Sequence, residues 1–160
     1  MSVDRLILEG IVVECRLGVS EWEQEHPQTI RVDLELAIDA ARAAAGDDVE
    51  ATIDYAQLVT AVKELARRKP YRLLETLADE IASLVLQRFV TAKVFVRVKK
   101  RALPGINYAA VEVERLARPA ERPPSGWPRS AGREGDRPRP RSRPGSASMP
   151  IRRRGRTLAR

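Results

Sequence analysis

A chain of 160 residues, 43% hydrophobic and 32% charged, has the material for one domain and an appendage. Its net charge of +7 is unevenly spread: residues 118–160 hold 13 arginines against 3 acidic residues, while residues 1–117 hold 16 basic and 19 acidic ones. One cysteine, Cys15, excludes an intramolecular disulfide, and with one histidine, His26, the chain cannot build a His- or Cys-rich zinc site by itself.

The appendage is residues 118–160. It carries eight of the eleven prolines, and its Pro/Arg/Ser/Gly composition buries too little apolar surface to order itself. A disordered basic tail is therefore expected after a folded domain at 1–117. No apolar run approaches the roughly 20 residues of a membrane helix. Asp4, Glu9 and Glu14 interrupt any signal-peptide pattern, so a cytoplasmic location and no membrane partner are expected.

Residues 3–16 alternate, with Leu6, Leu8, Ile11 and Val13 set against Asp4, Glu9, Glu14 and Arg16. The pattern predicts a strand, and Gly10 predicts a bulge within it. Gly18–Pro27 is polar and irregular and predicts a long hairpin loop. Residues 28–40 alternate again, with Ile30, Val32, Leu34 and Leu36 on one face, as in a half-buried antiparallel strand. The Ala-rich stretch 41–51 predicts a connector with a helical turn. Asp54 predicts an N-cap, and Tyr55, Leu58, Val59, Val62, Leu65 and Ala66 form a helical stripe that ends before Lys69-Pro70.

A second helix is predicted over about 73–88, with its stripe at Leu74, Leu77, Ala78 and Ile81. Glu75 stands at the edge of that stripe in the first turn, where the helix dipole favours an ionised carboxylate. Such a group can accept two parallel N–H bonds from a flat amidine-like ligand, or it can be an ordinary solvated first-turn residue. Residues 92–100, with Val94, Val96 and Val98 on one face, predict a third strand. Leu103-Pro104-Gly105 predicts a turn, and residues 107–116 a fourth strand. The order strand, strand, helix, helix, strand, strand predicts an α+β fold: a four-stranded antiparallel sheet with two helices on one face. Its open edges favour assembly with further copies.

Four segments together resemble the dihydroneopterin aldolases of folate biosynthesis. They are Gly18-Val19-Ser20-Glu21-Trp22-Glu23, Thr52-Ile53-Asp54-Tyr55, Leu73-Leu74-Glu75, and a lysine ending a Val-rich strand before a Pro-Gly turn. The resemblance implies the tunnelling fold (ββααββ), a homo-oligomer (tetramer or octamer) with active sites between subunits, and a small-molecule pterin as the partner. Nucleic acid is not expected as a partner. It also implies a metal-independent aldehyde lyase with no cofactor and no Schiff base. That enzyme would cleave 7,8-dihydroneopterin by a retro-aldol step to 6-hydroxymethyl-7,8-dihydropterin and glycolaldehyde, with the pterin ring taking up the electrons.

The same resemblance implies the roles. Glu75 pairs with the pterin's amino and ring N–H groups, and Leu74 lies beside it in the binding site. Glu23 holds the lysine ammonium or the substrate's hydroxyl side chain. Tyr55 relays protons, reaching in from a neighbouring subunit. A lysine acts through an ordered water as the acid/base group. Strand alternation selects Lys100 for that role, because it shares a face with Val94, Val96 and Val98; counting back from the turn selects Lys99 instead. Trp22 lies either over the ligand or against its own loop. His26 is expected as a surface loop residue, and Cys15 as an unactivated strand residue. Two alternatives stay open. One is the sister family of dihydroneopterin triphosphate epimerases, and the other is a non-catalytic multimer that binds through its basic tail.

Overall fold

The structure, a computed structural model, describes residues 4–101 and 103–118. Four strands form one sheet in sequence order: β1 (Asp4–Cys15), β2 (Gln28–Ile38), β3 (Lys93–Lys100) and β4 (Ala109–Leu116). Every neighbouring pair is antiparallel. The expected α+β architecture is present, and the expected tail lies outside the described residues from 119 onward.

The period-2 pattern decides which face is buried. Val13, Cys15, Ile30, Val32, Leu34, Leu36, Val94, Val96 and Val98 point to one side and are sealed from solvent. Two long helices cover that side: α3 (Tyr55–Arg67) packs on β1, and α4 (Leu74–Arg88) on β3 and β4. Their stripes close the core, with Leu58, Val62 and Leu65 from α3 and Leu77, Ile81 and Val85 from α4. Asp54 caps α3 as expected, its carboxylate accepting from the amides of Ala56 and Gln57.

The expected bulge is present in β1. Leu8 pairs with Leu34 but Ile11 with Val32, so one extra residue is inserted, and Gly10 takes the left-handed φ of 69° there. The amide freed by the bulge is not lost, because Gly10 N donates to Asp33 Oδ1 at 2.8 Å.

Three expectations are corrected. The segment 18–27 is not a structureless loop: it contains a short helix, α1 (Glu21–Glu25). Its polarity misleads because a Ser20-x-x-Glu23 capping box, rather than an apolar stripe, makes the helix. The connector after β2 is also more ordered than a single turn, with α2 (Ala40–Gly46) followed by a 3-10 turn at Val49–Ala51. Tyr55 is not part of the buried stripe of α3. It is the first residue of that helix and is 61% exposed.

Candidate active site

Strand alternation separates two adjacent lysines. Lys100, paired with Ile30 across β2, follows Val94, Val96 and Val98 onto the helix-covered face and is only 6% exposed. Lys99, paired with Arg31, points to the other face and binds Asp33 Oδ2 at 2.6 Å, with Tyr108 beneath its ammonium.

A buried ammonium must be paired and hydrogen-bonded. Lys100 Nζ meets Glu23 Oε1 at 2.5 Å and donates to the carbonyl of Leu17. An ammonium has three N–H groups, and among the described residues these two acceptors leave one for a ligand or water. Glu23 is held at its other oxygen, where Oε2 accepts from Ser20 N at 3.1 Å and Ser20 Oγ at 2.8 Å. The hydrogen bond from Lys100, followed by those from Ser20, lowers the Glu23 carboxyl to about 2, so it stays ionised across the working range. Gly18 makes room for this carboxylate, since a Cβ at that position would run into it.

The segment before α4 closes the site from the other side. Tyr71 forms a parallel bridge with Leu17: its N–H donates to Arg16 O at 2.8 Å and its carbonyl accepts from Gly18 N at 3.0 Å. Its buried phenol donates its one proton to Glu80 Oε2 on α4 at 2.9 Å, with Leu65 O at 3.2 Å as a second, weaker acceptor of the same proton. Burial raises the Tyr71 hydroxyl well above its ordinary value, and the Glu80 carboxylate adds to the rise, so it remains a donor. Two residues on, Leu73 caps α4 with no side-chain hydrogen bond. The first amides of α4 are therefore open donors, and Glu75, exposed, lies in the same first turn. Donors beside a carboxylate acceptor complement a flat ring edge that alternates C=O, N–H and NH2. Leu74 is half-buried against the core at the base of this patch.

Lys100 and Glu23 thus touch, and Leu74 and Glu75 stand on the helix that follows the Tyr71 bridge. Among the described residues, Tyr55 makes no hydrogen bond to Lys100, Glu23 or Glu75. Trp22 is 60% exposed and stacks on His26 with ring centroids 4.8 Å apart. Cys15 is buried, and burial pushes its thiol up to about 11, which leaves it inert at neutral pH. The sequence reading missed Ser20, Gln24 and the Tyr71 bridge. The Ser20-x-x-Glu23 spacing was the available signal for the first of these.

The four-stranded antiparallel sheet with its helices on one face has the α+β architecture of the tunnelling-fold class. A family model for dihydroneopterin aldolase matches residues 6–115. A Haemophilus influenzae dihydroneopterin aldolase is 34% identical over 98 residues, which cover 61% of this chain and 83% of that protein. A crystal structure of Escherichia coli dihydroneopterin aldolase in complex with neopterin superposes with a TM-score of 0.68 at 32% identity, covering 70% of this chain and 98% of that one. A Burkholderia thailandensis dihydroneopterin aldolase bound to guanine superposes at 0.61 with 26% identity, covering 71% and 91%. The chain belongs to the dihydroneopterin aldolase family and is an aldehyde lyase of folate biosynthesis.

Proposed function

We propose that the chain performs the retro-aldol cleavage of 7,8-dihydroneopterin at the Lys100–Glu23 centre. The observation that carries this reading is the buried Lys100 ammonium, held by Glu23 and Leu17 O with one N–H left over. In this reading Glu75 and the open amides of α4 bind the 2-amino-4-oxo edge of the pterin, over Leu74. Neopterin in the Escherichia coli enzyme and guanine in the Burkholderia enzyme share that edge, which supports the assignment.

The chemistry follows. As its free amine, Lys100 acts through an ordered water to take the proton from the side-chain hydroxyl two carbons from the ring, and becomes the ammonium that Glu23 and Leu17 O hold. The C–C bond between the first and second side-chain carbons breaks, and glycolaldehyde leaves. The electron pair moves through the first side-chain carbon into the ring imine. Proton return to that carbon gives 6-hydroxymethyl-7,8-dihydropterin. Glu23 keeps the ammonium in place, and its negative charge offsets the positive charge that would otherwise be buried. Tyr55 relays the proton from a neighbouring subunit, because its phenol is exposed at the start of α3, apart from the pair.

This requires a homo-oligomer, a tetramer or an octamer. Apolar side chains left exposed on the two edge strands, Ile7 and Val12 of β1 and Leu116 of β4, support edge-to-edge assembly. Among the described residues no helix is long and apolar enough to cross a membrane. We place the reaction in the cytoplasm, which suits a chain with one cysteine. We take the catalytic domain to end near residue 117, with the basic tail dispensable for catalysis.

The test is to incubate the purified protein with 7,8-dihydroneopterin and resolve the pterins by chromatography. Formation of 6-hydroxymethyl-7,8-dihydropterin with equimolar glycolaldehyde is expected. Formation of an epimer alone would move the assignment to the epimerase.

A further inference from the structure

Glu23 rides on a helix that nothing apolar holds. α1 is five residues long, and none of them is buried. A helix this short is not stable by propensity, so its place depends on its contacts. The capping box is internal to the segment and fixes its shape rather than its position. Among the described residues, only two side chains of α1 reach the rest of the fold by a hydrogen bond or ion pair. One is Glu23, which binds Lys100. The other is Gln24, whose Nε2 donates to Gly18 O at 2.5 Å and to Tyr71 O at 2.7 Å.

The chemistry of this second link is specific. A carboxamide nitrogen carries two N–H groups, and both are used on carbonyl oxygens. Tyr71 O also accepts from Gly18 N, so both of its lone pairs are occupied. Turning the amide over would face its oxygen towards two carbonyls, so the network allows one orientation only. Gln24 therefore ties three pieces of chain at one point: the end of the β1 extension at Gly18, α1 one residue after Glu23, and the segment that leads into α4. That segment is itself rigid, because the Tyr71 phenol is bonded to Leu65 O and Glu80.

We propose that Gln24 is a positioning residue, an amide clasp that fixes the Lys100–Glu23 pair relative to Leu74 and Glu75. It touches neither of the reacting atoms. It sets the spacing between the end of the site that moves protons and the end that anchors the ring. A misplacement of about 1 Å between such groups can cost a factor of about 100 in turnover. The proposal rests on the aldolase reading of the site, so its test needs one readout that is independent of catalysis.

Three variants of the full chain separate the possibilities. Gln24→Met keeps length and removes both donors. Gln24→Lys keeps donors for both carbonyls. Gln24→Glu sets a carboxylate against two carbonyl oxygens. With 7,8-dihydroneopterin, Gln24→Met is expected to lower kcat by about 10- to 100-fold with KM within about threefold, because ring binding is left intact. The acid limb of its kcat profile moves up towards the ordinary carboxylate range as Glu23 loosens from Lys100. Gln24→Lys recovers part of kcat, and Gln24→Glu is the slowest. Amide hydrogen exchange of the assembled protein supplies the independent readout: residues 18–25 and 71–75 exchange faster in Gln24→Met than in wild type. Wild-type kcat with an unmoved acid limb in Gln24→Met overturns the clasp. Equal losses of kcat in the Met and Lys variants also overturn it. If the wild type cleaves no dihydroneopterin, the aldolase reading falls, and unchanged exchange at 18–25 and 71–75 would then separately overturn the clasp.

Discussion

Lys99 and Lys100 are adjacent in sequence and chemically identical, yet the sheet gives them opposite surroundings. Lys100 lies on the helix-covered face, with Glu23 and a carbonyl as partners. Lys99 lies on the polar face, where it holds Asp33, which in turn caps the Gly10 bulge. Burial pushes the Asp33 carboxyl up, but the hydrogen bonds from Lys99 and the Gly10 amide outweigh it and hold it below its ordinary value. One residue of register therefore separates a lysine proposed for proton transfer from one that stabilises a strand. Strand pairing, and not local composition, decides which is which.

Substitutions can break this contrast. The largest effect is expected at Lys100: Lys100→Ala lowers kcat by about 10³-fold, in the range for loss of an acid/base group, while circular dichroism stays native. Next is Glu75→Gln, which removes the charged acceptor for the ring edge and raises KM about 10- to 100-fold in steady-state assays, with a smaller change in kcat. Lys99→Ala leaves turnover within about twofold and lowers stability to urea by about 1–3 kcal/mol, because a buried carboxylate loses its nearest partner.

Glu23→Gln sharpens the comparison through pH. The Glu23 carboxyl titrates at about 2 in the folded chain against 4.5 ordinarily, so its contribution is present above pH 4.5 and lost as the pH falls towards 2. Wild type is expected to exceed Glu23→Gln in stability by about 1–2 kcal/mol at pH 7, a figure reduced for the carboxylate's partial exposure. The gap closes as the pH falls to 2, measured by urea melts at each pH. Deleting residues 119–160 has the smallest effect: kcat and the oligomeric mass by light scattering stay at wild-type values.

The sequence was informative wherever geometry is periodic. Alternation in 93–100 put Lys100 with the buried valines, and the glycine in 3–16 marked the bulge. The stripes of α3 and α4 were legible for the same reason, as was the Asp54 cap. What the sequence could not show was contact between distant polar groups. Nothing in Gln24 or Tyr71 announces that an amide of one meets a carbonyl of the other across 47 positions. The fit of the Glu23 carboxylate over Gly18 is likewise a three-dimensional fact. Tyr55 was misread as part of the buried stripe because periodicity counts the first residue of a helix like any other. At that position the side chain projects beyond the packed face and is exposed.

The most direct test assays wild type, Lys100→Ala and Lys99→Ala side by side on 7,8-dihydroneopterin, quantifying 6-hydroxymethyl-7,8-dihydropterin by chromatography. Proton transfer by Lys100 predicts product from wild type and Lys99→Ala at similar rates and almost none from a folded Lys100→Ala. Product from Lys100→Ala at the wild-type rate, or loss of turnover in a folded Lys99→Ala alone, would contradict it.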